Sequence, residues 1–163
     1  MPLSYRQFCI QDTDDVCRLL NDTAIRRHLP LASMAGSFSV EFVQQWIARS
    51  RAHWQEHGYG IWQIERDGEF IGWGGCQVFN GEREFVLVVQ RRAMGAGLSL
   101  IKQVLEHALG EFGAGSMLVV LPLSRPGSRL LKRVGFTDEQ TVRINGCDFI
   151  QYRHPFLCEE TLA

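Results

Sequence analysis

The sequence predicts an α/β fold built on a mixed, mostly antiparallel central sheet of about seven strands, with helices on both faces. Three observations carry this expectation. Runs of strand character alternate with runs of helical period along the chain. Two hairpin dipeptides, Asp67-Gly68 and Asn80-Gly81, link three successive strand candidates and make them antiparallel. A nearly all-apolar strand candidate at residues 84–90 leads through a glycine-bearing turn into an amphipathic helix, which suits a strand covered on both faces.

Residues 3–8 alternate apolar and polar side chains and read as the first strand. Asp12 or Asp14 can cap a short helix carrying Val16, Leu19 and Leu20 on one face and ended by Asn21-Asp22. Residues 26–37, with Pro30 and Gly36, read as a loop. Ser39 is placed to cap a second helix, in which Val40, Val43, Ile47 and Trp54 recur at helical spacing until Gly58 stops it. Residues 59–65 and 70–79 then form a hairpin, and Gly72, Gly74 and Gly75 in its return strand predict a bulge or a close backbone approach. The 84–90 strand precedes a helix over 95–112 with Leu98, Ile101, Val104, Leu105, Ala108 and Phe112 on one side. Residues 117–121 read as a second buried strand, 128–134 as a helix, and 136–143 and 148–153 as a final strand pair about Asn145-Gly146.

The length of 163 residues suits one domain spanning 1–163, and 45% hydrophobic with 21% charged residues is ordinary for a globular protein. A net charge of −1 argues against nucleic-acid or membrane partners, which require a clustered basic excess. The five cysteines, Cys9, Cys17, Cys76, Cys147 and Cys158, include no CxxC pair, so a reducing cytoplasm is the expected compartment and no metal is expected. His53 and His57 stand four apart but lack the glutamate of a zinc-protease motif. No apolar run is long enough to span a bilayer.

The segment Arg92-Ala93-Met94-Gly95-Ala96-Gly97 carries the most chemistry. A helix start leaves backbone N–H groups unpaired and partly positive. Gly95 and Gly97 remove side chains there, so a bulky anion can reach those donors, and Arg91 and Arg92 can add charge-assisted contacts. A third glycine is missing, because position 100 is Leu, so this is no dinucleotide fingerprint; nor does a Gly-Lys-Ser/Thr triplet follow. The plain alternative is a glycine-rich helix start with no ligand.

Arg92-x-x-Gly95-x-Gly97 after a buried strand resembles the coenzyme A signature of the GNAT acetyltransferase superfamily. Further stretches are similar to that family: Arg6-Gln7-Phe8 with Leu19-Leu20-Asn21-Asp22, Phe70-Ile71-Gly72-Trp73-Gly74, and Leu130 to Val134 followed by Gly135-Phe136. The resemblance covers about residues 3–153 and points to the branch that includes ribosomal-protein N-terminal acetyltransferases.

The resemblance implies an acetyl-CoA-dependent N-acetyltransferase, in which a primary amine attacks the thioester directly in a ternary complex. Acetyl-CoA is a cosubstrate, and the acceptor is a small-molecule amine or a protein N-terminus. The implied coenzyme contacts are the backbone of Val88, Val89 and Gln90, the turn residues Arg91, Arg92, Met94, Gly95, Ala96, Gly97 and Leu98, and Ser124 and Arg129, with Arg125, Lys132 and Arg133 as further 3′-phosphate candidates. Glu84 stands where the family often has a catalytic glutamate, thirteen residues before Gly97, and is the expected general base; Glu82, of the same side-chain parity, is its rival. Leu29, Leu31, Trp73 and Glu82 are the expected acceptor contacts. Ser124 replaces a common asparagine and is a candidate for protonating the leaving thiolate. Residues 128–131 lack the tyrosine that usually does so. Three readings stay open: a transferase, a non-catalytic acyl-CoA-binding or regulatory module on the same fold, and a nucleotide-binding protein with an unrelated phosphate loop. A Cys76 nucleophile would imply a covalent acyl-enzyme, but no His/Asp pattern accompanies it. The acceptor's identity and the oligomeric state, a homodimer among the options, stay open.

Overall fold

The structure, a computed structural model, describes residues 2–26, 37–113, 115–123 and 127–154. Its strands are β1 (Leu3–Arg6), β2 (Ile61–Arg66), β3 (Glu69–Phe79), β4 (Glu82–Val89), β5 (Met117–Pro122), β6 (Thr137–Ile144) and β7 (Cys147–His154). They form one seven-stranded sheet in the order β1-β2-β3-β4-β5-β7-β6, in which only the β4–β5 pair is parallel. The helices are α1 (Thr13–Leu20), α2 (Thr23–Arg26), α3 (Val40–His57), α4 (Gly97–Phe112) and α5 (Ser128–Arg133). The predicted fold class is therefore observed, and the strands and helices follow one another along the chain as expected, apart from the short helix α2, which was not anticipated.

Alternation along the strands sorts their side chains onto two cores. Trp62, Ile64, Cys76, Phe85 and Val89 pack with Leu100, Val104 and Ala108 of α4 and Leu131 of α5. Ile61 and Trp73 pack on the opposite face with Val16, Leu19 and Leu20 of α1 and Val43 and Ile47 of α3. Helix α3 is capped as its sequence suggests: the Ser39 hydroxyl accepts from Phe42 N–H at 3.1 Å, and Gly58 ends it in the left-handed region at φ 72°.

Two expectations need correction. Asp12 stands at the start of α1, but its carboxylate makes no cap bond to that helix. It accepts from Nη1 and Nη2 of Arg6, at 2.9 and 2.8 Å, and from Cys9 N–H at 2.8 Å. The helix expected from residue 95 begins at Gly97, because Arg91–Ala96 winds first into a 3₁₀ turn. The close approach predicted for the β3 glycines is present. At Gly72 (φ 152°) a Cβ would collide with the Val88 carbonyl oxygen.

Candidate active site

β4 lies between β3 and β5 and joins them unequally. Its pairing with β3 runs the full length from Gly72–Val89 to Phe79–Glu82. Among the described residues its parallel pairing with β5 has one rung, Glu84 opposite Leu118. Beyond that rung a cavity of about 620 Å³ is lined by Val86 to Val89 of β4 and Val119 to Pro122 of β5. Its walls come from both faces of the sheet. Leu20, Trp46 and Trp73 belong to the α1/α3 side, and Leu100, Ile101 and Leu131 to the α4/α5 side. The parted strands thus open a passage through the sheet.

Glu84 stands at the base of that opening. It is 9% exposed, and its carboxylate accepts from Gln77 Nε2 at 3.2 Å. Burial pushes its pKa up to about 7, against the Gln77 hydrogen bond, which lowers it. A carboxyl poised there can exchange a proton near neutral pH. Glu82, its rival, is turned elsewhere: both oxygens accept from the Arg153 guanidinium on β7, and that hydrogen bond holds its carboxyl below the usual range. Cys76 is fully buried on the α4 side, where burial pushes its thiol up to about 12 and leaves no thiolate nucleophile near neutral pH.

The turn after β4 is fastened by Arg92. Its Nε donates to Gln90 Oε1 at 2.6 Å, Nη1 meets Glu69 at 2.8 Å, and Nη2 donates to the Phe70 carbonyl at 3.2 Å. Its guanidinium is thus occupied with the start of β3. Within the turn Ala93 N–H donates to Gln90 O, and Gly97 N–H to Met94 O. A Cβ at Gly95 would meet nothing within 4 Å, and one at Gly97 only Leu130 at 3.6 Å. Open space therefore lies over the turn on the side that a side chain would fill. Gln90 N–H donates to Ile71 O at 2.8 Å, and alternation points the Val88 backbone the same way, toward β3. Of the three residues expected along the coenzyme arm, Val89 turns its backbone to the β5 side.

Of the residues singled out in the sequence, Glu84, Val88, Val89, Met94, Gly97 and Trp73 line one cavity. Gln90, Arg91, Arg92, Gly95, Ala96, Leu98 and Arg129 do not line it; Arg91, Gly95 and Arg129 are exposed. Leu29, Leu31, Ser124 and Arg125 lie outside the described residues. Lys132 pairs with Glu139 at 3.5 Å. Gln77 and Trp46, neither of them among the residues singled out in the sequence, also line the cavity. A two-residue turn at Asn80-Gly81 dictates that residue 77 opposes residue 84, and this register was the available signal for Gln77. Ser128 stands at the start of α5, beside the Tyr152 side chain of β7. Among the described residues no cluster of His, Cys, Asp or Glu suits a metal ion, and no helix is long and apolar enough to cross a membrane.

Residues 3–137 match the sequence model of the family described as acetyltransferase (GNAT) domain. No curated protein gave a significant match. Solved structures are similar in fold. One is the acetyltransferase from Salmonella typhimurium that modifies the N-terminal serine of ribosomal protein L7/L12, with 16% identity, 95% of each chain covered and a TM-score of 0.73. Another is AAC(6′)-Ib in complex with ribostamycin and coenzyme A, with 15% identity, 95% of this chain and 94% of that one covered, and a TM-score of 0.75. A third is a GNAT-family acetyltransferase from Bordetella pertussis, with 16% identity, 93% and 95% covered, and a TM-score of 0.72. At such identities the likeness establishes the fold and leaves the acceptor open.

Proposed function

The chain belongs to the GNAT acetyltransferase family, and from that premise we propose that it moves an acetyl group from acetyl-CoA to a primary amine by direct attack within a ternary complex. The observation that carries this reading is Glu84, a buried carboxyl with a pKa of about 7 at the base of the passage, where β4 and β5 part. Acetyl-CoA approaches from the α4/α5 side and the amine from the α1/α3 side, so the two substrates meet beside Glu84. Holding them in line removes part of the entropic barrier.

The amine nitrogen forms a bond to the thioester carbon and the carbon–sulfur bond breaks. Glu84 takes the proton that the nitrogen loses, directly or through one water. The sulfur leaves as a thiolate. A thiol of pKa about 8.5 is a fair leaving group without a dedicated acid, which suits a site with leucines at positions 130 and 131. Ser124 stays our candidate for returning a proton to sulfur.

The open face over Gly95 and Gly97 fits a pyrophosphate. Two of the turn's N–H groups are spent on i→i−3 bonds, which are weaker than α-helical ones. In our reading an anion exchanges such bonds for N–H···O⁻ contacts. Arg92 holds the turn to β3 while this happens, and Arg91 and Arg129 supply exposed charge. Val89 offers its backbone to the coenzyme arm, and Trp73 walls the acceptor side.

The test is thiol release. Purified protein mixed with acetyl-CoA and a panel of amines should release free thiol only when an acceptor is present. Coenzyme binding without thiol release from any amine would instead favour a non-catalytic acyl-CoA module.

A further inference from the structure

A second cavity of about 190 Å³ adjoins the acceptor side of the passage and shares Trp46, Ile61 and Gln77 with it. Its remaining walls are Arg49, Ser50 and His53, all from α3. Resting on the reading of this site as an amine acetyltransferase, we propose that the acceptor is a small amphoteric amine: a primary amine on an apolar body that also bears a carboxylate, as in an apolar or aromatic amino acid.

Charge is the first argument. Among the described residues, the walls of the two cavities hold one carboxylate, Glu84, and one guanidinium, Arg49. The His53 ring is engaged through both nitrogens. Its Nε2 accepts from Val78 N–H at 3.1 Å, which places its proton on Nδ1, the nitrogen that faces the Tyr59 carbonyl at 2.9 Å. A polycation would bring several ammonium groups to a site with one acidic partner, and desolvating the others is costly.

Arg49 is the second argument. Among the described residues no carboxylate pairs with it; its guanidinium stands over the Phe42 ring at 5.9 Å. With the Ser50 hydroxyl beside it, it offers charge-assisted donors to an anionic oxygen. Arg49 is exposed, so a ligand carboxylate can reach it from the open side of the cavity, whereas the amide of a continuing peptide offers it no charge. The walls around these two groups are apolar and partly aromatic: Leu20, Ile61, Trp46 and Trp73, the two indoles with centroids 5.1 Å apart. In such a ligand the amine and carboxylate share one carbon, so both lie by Gln77, which the two cavities have in common, the amine toward Glu84, the carboxylate toward Arg49, and the side chain against the indoles.

The test compares kcat/KM for thiol release from acetyl-CoA with L-phenylalanine, L-leucine, phenethylamine, the tripeptide Phe-Gly-Gly and spermine. One of the two amino acids should exceed phenethylamine roughly tenfold, the worth of one charge-assisted hydrogen bond. Arg49→Gln should erase that ratio. Arg51→Gln, an exposed neighbour on α3 that lines neither cavity, should keep it. Spermine or the tripeptide as the best acceptor would overturn the inference while leaving the acetyltransferase reading intact, as would a ratio unchanged in Arg49→Gln. No thiol from any amine, with acetyl-CoA still bound, would overturn the acetyltransferase reading and this inference with it.

Discussion

Gln77 and Glu84 oppose each other across the β3–β4 ladder, and the Gln77 side-chain amide donates to the Glu84 carboxylate at 3.2 Å. Burial and this hydrogen bond act on Glu84 in opposite directions, burial being the stronger. Removing the donor leaves burial unopposed. Gln77→Leu should therefore move the acidic limb of the kcat/KM profile upward by about one pH unit, because a charge-assisted hydrogen bond is worth roughly 1.5 kcal/mol. The wild-type limb should itself fall near pH 7, since the base works only when ionised. A Gln77→Leu profile superimposable on the wild type would separate this pair from the chemistry.

Glu84→Gln keeps the side chain's shape and removes the carboxylate proposed as the base. It should lower kcat by roughly 10²- to 10⁴-fold and change the acetyl-CoA dissociation constant less than about threefold. Glu82→Gln provides the contrast, because Glu82 is engaged by Arg153 and stands off the cavity. Its kcat should stay within about threefold of wild type. The reverse ranking of the two variants, measured in parallel, would hand the role of base to Glu82.

Gly95 tests the turn without testing the fold. A side chain there meets nothing within 4 Å and the backbone needs no left-handed conformation, so Gly95→Leu should fold with an unchanged melting temperature. The same side chain would fill the space over the turn and weaken acetyl-CoA binding by at least about tenfold, roughly 1.4 kcal/mol or more. Gly72→Ala should behave oppositely. Its Cβ runs into the Val88 carbonyl oxygen, so stability should fall by a few kcal/mol. Calorimetry and thermal melts on the two variants separate these outcomes; unaltered coenzyme affinity in Gly95→Leu would remove the turn from the site.

Much of this arrangement is written locally. Asp67-Gly68 and Asn80-Gly81 carry the hairpin conformations, with Asp67 at φ 55° and Asn80 at φ 50°, and so place β2, β3 and β4 side by side. The second turn also places Gln77 opposite Glu84. What stays hidden depends on contacts between distant segments. Arg92 reads as an anion ligand beside two glycines, but antiparallel pairing brings Glu69, 23 residues earlier, to its guanidinium. The parting of β4 from β5 has no local signature, because a crossover through α4 connects them. Trp46 fits a helical period as well as any core residue does. Periodicity marks the inward face of a helix and does not distinguish a packed contact from the wall of a cavity.

Cys76 offers a test of direct transfer against a covalent route. It is fully buried on the α4 side with its thiol pushed up to about 12, and its sulfur lies 3.9 Å from that of Met117. Cys76→Ala should cost about 1 kcal/mol of stability and leave acetyl transfer within a few fold of wild type. Intact-protein mass after incubation with acetyl-CoA alone should show no acetyl adduct. An adduct lost in Cys76→Ala would replace direct attack by a two-step mechanism.

The raised pKa of Glu84 also has a consequence for folding. Burial lifts it from the ordinary 4.5 to about 7 in the folded chain. Below the ordinary value both states hold the proton, and the folded chain pays nothing for this group. As pH rises from there the unfolded chain ionises first, so stability is lost progressively until the folded-state pKa is passed. Above it the full cost stands, about 3 kcal/mol for a shift of this size. Glu84→Gln carries no charge to desolvate. Relative to wild type it should gain up to about 3 kcal/mol near pH 8 and show little change of the same origin near pH 4, as read from urea unfolding at both values. A stability gap between the two proteins that is the same at both pH values would mean that the Glu84 carboxylate ionises freely in the folded state, and the poised base would then have to be sought at another residue.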